Sequence, residues 1–422
     1  MEPNTSDKNV LPGSNKRSLK VLGTILLLAV FSITALFVIN RCLGDIRPAL
    51  LPPPQDITDI IEKQYMRPPA VAPEAQNTTA PSPLQLPPGF RIAIFARQLG
   101  APRDLELSPG GTLLVSLPGA GKVLALPDIN GDGKADDHRV ILQGLTIPHG
   151  LAFYRGKLFV AEETQVVRYT WQEATLTATR DRVLFQLPPG GRHVSRSLVF
   201  NKSGQLFVAV GSTCDVCFEE HPWLGAVITS DSEGNNPRLY AKGLRNSVFL
   251  AVNPRTDEVW AGDMGRDLLG DDLPPEEINI IGEGKNYGWP ICYGDKIHDT
   301  VFDKNTYLHN PCASTEAPIF IYQPHAAPLG LTFITSRQFP QSWQGDLLVA
   351  FHGSWNRSKP VGFKVTRFSL QGNAITGAED FLTGFLQESR ALGRPVDVLF
   401  DKQGRLYVSD DKAGAVYRIV KK

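Results

Sequence analysis

The sequence predicts an all-β fold, a six-bladed β-propeller preceded by one N-terminal transmembrane helix and a proline-rich linker. Two observations lead to the propeller. From residue 88 onward a short pattern recurs: a β-rich run, a turn that contains glycine, and a second β-rich run. A repeat of roughly 45 to 60 residues built from such runs is typical of propellers, in which each repeat is one blade packed between its neighbours.

Six copies of the pattern can be counted, which predicts six blades. They read RDLELSPGGTLLVSL, HGLAFYRGKLFVAE, RSLVFNKSGQLFVAVG, VFLAVNPRTDEVWAGDMG, GLTFITSRQFPQSWQGDLLVAFHG and VDVLFDKQGRLYVSDD. Some copies precede a third run of alternating apolar and basic residues, such as QVVRYTW, GFKVTRF and AVYRIVK, which fits an exposed outer strand. The interval between the fourth and fifth copies is longer and rich in Gly and Pro, and long propeller loops usually carry function.

The N-terminal segments differ from the repeats in composition. Residues 21–40, VLGTILLLAVFSITALFVIN, carry no charge over about the 20 residues that a membrane-spanning helix needs. Basic residues precede this segment. They favour a cytoplasmic location for the N-terminal tail, residues 1–20. Residues 41–85 are rich in proline and predict a semi-rigid linker before a propeller domain at residues 86–422. We therefore expect a single-pass protein of the cell inner membrane with its folded domain on the periplasmic side.

Charge and cysteine content narrow the classes of function. Lys plus Arg (43) equals Asp plus Glu (43), so net charge gives no reason to expect a nucleic-acid partner. Four of the five cysteines follow the linker: Cys214 and Cys217 in CDVC, and Cys292 with Cys312. An even count fits disulfides in an oxidising compartment. For CDVC a structural bridge is favoured over a redox dithiol, and a metal site is disfavoured because no second CxxC or histidine pair accompanies it.

Polar side chains recur in register just before the innermost strand of each predicted blade. Such positions share one rim of the central channel, and the bland alternative is scattered surface charge. The positions at this rim are Arg103, His149, His193, Arg196, Arg245, Asn246, His325 and Arg394. In a chain without net charge, a cationic ring of this kind predicts an anionic ligand held by charge-assisted hydrogen bonds.

Six motifs run in one order from about residue 86 to the C-terminus: GRHVSRSLVF, GLRNSVFLAVNP, GDMGRD, EEINII, KNYGWP and GRPVDVLFDKQGRLYVSDD. With these motifs the sequence resembles the soluble pyrroloquinoline quinone (PQQ)-dependent sugar dehydrogenases, in particular the aldose and L-sorbosone branch. The resemblance implies an enzyme that oxidises a sugar or sugar aldehyde by hydride transfer to PQQ.

The resemblance also implies roles for individual residues. It makes His193 the general base that takes the sugar hydroxyl proton, which suits an imidazole that titrates near neutral pH. Arg245 would stabilise negative charge that develops on the quinone oxygen. Asn246 would hydrogen-bond the cofactor, and Arg394 would pair with one of its carboxylates.

Further assignments follow from the same resemblance. Lys359 or Arg357, in HGSWNRSKP, would supply another clamp for a cofactor carboxylate. His149 stands where glucose-oxidising members have a glutamine, which predicts a substrate contact, with a packed core histidine as the alternative. The aspartate that orients the catalytic histidine in the family corresponds here to Ser212, and Asp215 is the candidate that would replace it.

Calcium is the second cofactor that the resemblance implies. One ion would bridge the quinone and the backbone carbonyls of Gly265 and Arg266, the latter in place of the family's proline. A second calcium site would use Glu277, the backbone of Tyr287, and Asp295. Separately, DINGDGKADD, residues 128–137, has the spacing of a calcium loop, but its twelfth position is Arg139 in place of Glu. An acidic turn between strands is the alternative for that loop.

The leading hypothesis is therefore a membrane-anchored quinoprotein that acts on a sugar substrate and passes electrons to a membrane quinone or cytochrome. A calcium-dependent propeller hydrolase of the lactonase type is the alternative, because six-bladed propellers serve that chemistry too. It predicts an acidic channel with several carboxylate ligands. A non-catalytic propeller that binds an anionic partner is the third possibility.

Overall fold

The computed structural model describes residues 83–422, which form six four-stranded antiparallel sheets. Each sheet is one blade, and its first strand contacts the first strand of the next blade, with the sixth in contact with the first. The predicted six-bladed propeller is confirmed. The predicted cytoplasmic tail and transmembrane helix, and the linker up to residue 82, lie outside the described residues. Within residues 83–422 no helix is long and apolar enough to cross a membrane.

The chain begins its regular structure with β1 (Phe90–Ala96) and then builds three blades in order, each from four consecutive strands. The strands of blades one to three are β2 (Leu105–Leu107), β3 (Leu113–Leu117), β4 (Lys122–Leu126), β5 (Arg139–Gln143), β6 (Leu151–Tyr154), β7 (Lys157–Glu162), β8 (Gln165–Gln172), β9 (Thr177–Gln186), β10 (Arg196–Phe200), β11 (Leu206–Val210), β12 (Ala226–Ser230) and β13 (Arg238–Lys242).

Blade four carries a small two-stranded ribbon, β17 with β18, between its third and fourth strands, and a second ribbon, β24 with β25, precedes blade six. The remaining strands are β14 (Leu250–Val252), β15 (Val259–Asp263), β16 (Glu276–Ile281), β17 (Cys292–Tyr293), β18 (Ile297–His298), β19 (Phe320–Tyr322), β20 (Pro328–Phe333), β21 (Leu347–Phe351), β22 (Lys364–Gln371), β23 (Ala374–Leu382), β24 (Leu386–Gln387), β25 (Arg390–Ala391), β26 (Pro395–Phe400), β27 (Leu406–Asp410) and β28 (Ala415–Lys421). Two short 3-10 helices, Pro118–Ala120 and Gln341–Trp343, lie in connections.

The six predicted repeats correspond to the first two strands of the six blades. The second strands, such as β3 and β21, are buried along their whole length because neighbouring blades cover both faces. Trp260 on β15 has no exposed surface, and its ring meets that of Phe333 in blade five edge-on at 5.3 Å. Aliphatic side chains and aromatic contacts of this kind together make up the core.

The third runs were expected to be exposed outer strands, and this expectation is wrong. QVVRYTW and GFKVTRF form the third strands β8 and β22, which are largely buried because a fourth strand covers their outer edge. Their basic side chains are paired with carboxylates: Arg168 lies 2.7 Å from Asp181, and Arg367 lies 2.5 Å from Asp346. The alternation of apolar and basic residues therefore marks a buried strand with ion pairs.

The ring is closed by strands from the two ends of the propeller. β1 pairs antiparallel with β28 from Phe90↔Lys421 to Ala96↔Val416 and so supplies the outer strand of blade six. Before β1, the Gln85 backbone N–H donates to the Thr383 carbonyl at 3.0 Å, and the Thr383 N–H returns the bond to Gln85. The last residues of the predicted linker, 83–85, are therefore part of the described structure.

Both expected disulfides are present, which confirms the structural bridge favoured for CDVC. Cys214 bonds Cys217 across a separation of 3 residues, directly after β11. Cys292 bonds Cys312 across a separation of 20 residues. This disulfide constrains the long segment between the third and fourth strands of blade four.

Removal of residues 1–83 is expected to leave a folded, soluble domain, because the described contacts begin at Leu84 and Gln85. Sedimentation should show one species, and thermal unfolding should show one cooperative transition. Removal of residues 1–96 is the matched control. It also deletes β1 and exposes the edge of β28, so the cooperative transition should be lost. Aggregation of the shorter deletion would refute the boundary.

Replacement of Cys292 and Cys312 by serine should lower the free energy of unfolding by roughly 3 kcal/mol, because the bridge closes a loop of about 20 residues in the unfolded chain. Urea unfolding followed by tryptophan fluorescence measures this loss. The Cys214→Ser, Cys217→Ser pair closes a much shorter loop and should cost less. A larger loss for this control pair would contradict the chain-entropy argument.

Candidate active site

Arg245 and Asn246 come shortly before β14, and a buried carboxylate holds their backbone. Asp263, at the end of β15, accepts hydrogen bonds from the N–H of Arg245 (3.0 Å) and Asn246 (2.9 Å) and from Ser247 Oγ (2.7 Å). Burial raises the pKa of Asp263 to about 6, since the charged form is less stable away from water. The strand ends of blade four thus place both side chains on one rim.

Arg245 is 3% exposed and is held by two carboxylates. One of its Nη atoms lies 2.6 Å from Asp215 Oδ1 and 3.0 Å from Asp267 Oδ2, while Nε donates to the Asp215 carbonyl at 2.9 Å. Burial disfavours the charge of Arg245, but Asp267 and Asp215 more than offset this and raise its pKa. Asp267 also accepts hydrogen bonds from Arg192 (2.5 Å) and Asn356 (3.1 Å). The cation is therefore immobile and its position is fixed from several directions.

His193 lies close to Asn246 across a glycine. A Cβ added to Gly211 would lie 2.6 Å from the Cβ of His193 and 2.9 Å from Asn246 Oδ1, so only glycine fits between them. Burial lowers the pKa of His193 well below its ordinary value, and the cations Arg245 and Arg192 lower it further. The imidazole is therefore neutral at neutral pH, as a proton acceptor must be.

Of the two candidates to orient His193, the structure places Ser212 against it. His193 Nδ1 lies 2.8 Å from Ser212 Oγ. Asp215 is occupied elsewhere, since its carboxylate accepts from Arg245 and from the Asp267 backbone N–H at 2.8 Å. Arg196, with no exposed surface, donates to the His193 carbonyl at 2.8 Å. It is a structural support for this segment and does not present its guanidinium to a ligand.

His149 has an environment unlike that of His193. It has no exposed surface, its Nδ1 lies 3.2 Å from Ser197 Oγ, and its ring packs on Phe249 with 5.0 Å between centroids. His149 Nε2 is buried and has no hydrogen-bond partner within residues 83–422, so the substrate contact stays a prediction beside the packed core histidine.

The residues predicted to bind the carboxylates of the cofactor fall into two groups. Arg394 donates to the Ser354 carbonyl (3.2 Å) and lies 3.4 Å from His352 Nδ1, between blades five and six. Arg357 donates to the Asp271 carbonyl (2.7 Å), while Lys359 is exposed. Arg357 Nε is buried and has no hydrogen-bond partner in the described part of the chain, so it retains a donor for a ligand.

Four predicted calcium ligands line one small pocket in blade four. They are Gly265, Arg266, Glu277 and Tyr287. Asp295 is exposed and is not part of the lining; buried Asp299 takes that place and binds the Arg266 guanidinium at 2.9 Å. This guanidinium already supplies a positive charge there, so the residues fit a second calcium ion poorly. Burial raises the pKa of Glu277 to about 8, and the neighbouring carboxylate of Asp263 adds to this shift.

The acidic segment at residues 128–137 is a turn between β4 and β5, as the alternative proposed. Its side chains bind its own backbone: Asp128 accepts from the Gly133 N–H (3.0 Å), and Asp136 accepts from Ile129 (2.5 Å). Calcium binding to this segment stays a prediction.

Within the predicted cationic ring, Arg103 and Arg245 are paired with carboxylates, whereas Arg196 donates to backbone carbonyls. Arg103 lies 2.8 Å from Asp411, which also lies 2.9 Å from His352 Nε2, and these contacts join blades five, six and one. Removal of a charge from water is costly, and a carboxylate partner offsets that cost at Arg103. The sequence reading missed Asp267, Asp299 and Asp411. The sequence does carry a signal for Asp267 and Asp411, because the motifs MGRD and VSDD lie at or directly after the ends of the second strands of their repeats.

The chain is similar in sequence to a known family and to several proteins. A family model described as TrAA12-like matches residues 84–422. An uncharacterized protein of Borreliella burgdorferi is 30% identical over 362 residues, which cover 80% of this chain and 91% of that protein. A pyrroloquinoline quinone-dependent pyranose dehydrogenase of Coprinopsis cinerea is 25% identical over 409 residues, 78% of this chain but only 54% of that protein.

Among solved structures, the holo form of the PQQ domain of the Coprinopsis cinerea pyranose dehydrogenase superposes with a TM-score of 0.70 at 22% identity. The superposition covers 81% of this chain and 98% of that domain, and it supports the fold. The chain therefore belongs to the TrAA12-like family, and the resemblance to PQQ-dependent sugar dehydrogenases predicted from the sequence is confirmed.

Proposed function

We propose that the chain is a PQQ-dependent oxidoreductase that oxidises a sugar or sugar aldehyde of the aldose or L-sorbosone type. The observation that carries this proposal is a neutral histidine beside a fixed cation. His193 Nε2 has no partner among residues 83–422, and Asn246 and Arg245 lie next to the ring. A base in that position removes a hydroxyl proton while the cation stabilises charge that develops nearby.

The residues of the rim fit PQQ. When bound, PQQ supplies an ortho-quinone that accepts a hydride, and it carries carboxylates that need N–H donors. Arg245, Asn246, Arg394 and Arg357 would hold it, with the unpartnered Nε of Arg357 as one such donor. The PQQ-dependent pyranose dehydrogenase of Coprinopsis cinerea supports this choice of cofactor and substrate class.

Each side chain then has one task. His193 Nε2 accepts the proton of the substrate hydroxyl, and its low pKa keeps the acceptor unprotonated at neutral pH. Arg245 holds a positive charge that Asp215 and Asp267 prevent from moving. Because this charge is pre-positioned, no reorganisation is needed during the reaction.

The calcium ion that the family resemblance implies would be held by the loop that contains Gly265 and Arg266. The backbone carbonyls of Gly265 and Arg266 accept no hydrogen bond within the described part of the chain, and carbonyl oxygens suit a hard cation. Glu276 holds this loop in place, since it accepts from the Gly265 N–H at 2.9 Å and from the Ala327 N–H at 3.0 Å.

The proposal extends to the location of the enzyme. Residues 21–40 anchor it in the cell inner membrane, the propeller faces the periplasm, and electrons pass to a membrane quinone or cytochrome. The uncharged N-terminal segment and the disulfides Cys214–Cys217 and Cys292–Cys312 support this location.

Titration of PQQ with calcium into the purified protein should produce a bound chromophore, and aldoses should then reduce a dye acceptor. His193→Gln keeps hydrogen-bonding capacity but removes the base. It should bind PQQ normally and lower turnover by about 10² to 10⁴-fold. Arg245→Lys loses the planar fork that reaches Asp215 and Asp267. It should weaken PQQ binding by about tenfold or more and lower turnover too.

Arg337→Lys is the matched control, because this arginine is exposed and outside the site, and it should behave as the unmodified protein. Stopped-flow reduction of the bound quinone by sugar separates the two defects. Reduction at the normal rate in His193→Gln would place the base elsewhere. Failure of the unmodified protein to bind PQQ would refute the cofactor.

A further inference from the structure

We propose that Ser212 is a positioning residue that holds His193 in the tautomer with its proton on Nδ1 and leaves Nε2 as the acceptor. This inference rests on the proposed role of His193 as a base and goes beyond it, because it assigns the group that sets the state of that base. The contacts of one short loop, residues 211–219 after β11, carry the argument.

The direction of the hydrogen bonds follows from counting protons. Ser212 Oγ lies 2.8 Å from the Cys214 carbonyl oxygen and 2.8 Å from His193 Nδ1. A hydroxyl has one proton, and the carbonyl can only accept, so the Ser212 proton points to Cys214. The hydroxyl oxygen is then an acceptor toward His193. Nδ1 must therefore carry the imidazole proton, and the neutral ring has its lone pair on Nε2.

The two hydrogen bonds from His193 through Ser212 to the Cys214 carbonyl form a relay. The loop that carries its Cys214 end is held in place. The Cys214–Cys217 disulfide closes the loop, and Glu219 accepts from the Thr213 N–H (2.6 Å) and Thr213 Oγ1 (2.8 Å). Ser212 itself has no exposed surface. Its carbonyl accepts from the His193 N–H (3.2 Å), and its N–H donates to the Arg245 carbonyl (2.9 Å). The hydroxyl therefore has little freedom to turn toward another partner.

Among residues 83–422, no carboxylate takes the place of the hydroxyl at His193. The charged side chains that face the ring are the cations Arg192, Arg196 and Arg245. The carboxylates of Asp215 and Asp267 are bound to Arg245 and Arg192 instead. A neutral hydroxyl orients the ring without stabilising its protonated form, which agrees with the lowered pKa of His193. Ser212 therefore sets the orientation of the His193 ring without raising the pKa of His193.

The test measures the tautomer directly, in the full-length protein without cofactor or sugar. Histidine labelled with ¹⁵N is read by NMR, and His193→Gln identifies the His193 signals. The unmodified protein should show a protonated Nδ1 and an unprotonated Nε2 at pH 7. Ser212→Ala should shift the population toward a protonated Nε2, because the acceptor is gone. A protonated Nε2 in the unmodified protein, or an unchanged tautomer in Ser212→Ala, would overturn the proposal.

Two further variants separate positioning from a general loss of structure. Ser212→Thr keeps the hydroxyl and should keep the Nδ1–H tautomer. Ser212→Asp keeps an acceptor but adds an anion, so the tautomer should persist while the pKa of His193 rises by about 1 to 3 pH units. Loss of the tautomer in Ser212→Thr would contradict the relay. Because these signals need neither PQQ nor substrate, they can confirm or refute the relay independently of the proposed enzyme activity.

Discussion

The pairing of β1 with β28 closes the ring, and the contacts between all six blades depend on that closure. A single four-stranded sheet cannot bury both faces, so each blade is stable only between two others. Closure is what covers both faces of the second strands and what makes edge-on contacts such as Trp260 with Phe333 possible. It also brings the two ends of the propeller sequence into one blade.

Buried carboxylates then tie neighbouring blades together. Asp397 accepts from the Leu105 N–H (2.8 Å), Asp104 accepts from the Leu151 N–H (3.0 Å), and Glu276 bonds the backbone of both blade four and blade five. Burial raises the pKa of these carboxyl groups, to about 6 for Asp397 and about 8 for Glu276. They are acceptors for backbone N–H groups that would otherwise be buried without partners. The same device at Asp263 places Arg245, so the scaffold and the site use one kind of interaction.

His149 and His193 show how similar positions acquire different chemistry. Both lie shortly before an inner strand, and both have a lowered pKa because of burial. His149 has no exposed surface and packs on Phe249, whereas His193 is partly exposed and lies against Gly211 and Ser212. The difference comes from side chains on other blades and on the loop after β11.

The sequence by itself determined the blade count and the inner hairpins, since alternation and glycine turns act between residues that are close along the chain. Its motifs also identified His193 and Arg245 as the residues to follow. Only the tertiary structure decided their partners: Arg103 and Asp411 lie 308 residues apart, and Arg245 and Asp215 lie 30 apart. The third strands were misread for the same reason. Whether a basic side chain is exposed or paired depends on which segment lies beside it, and here that segment belongs to the same blade.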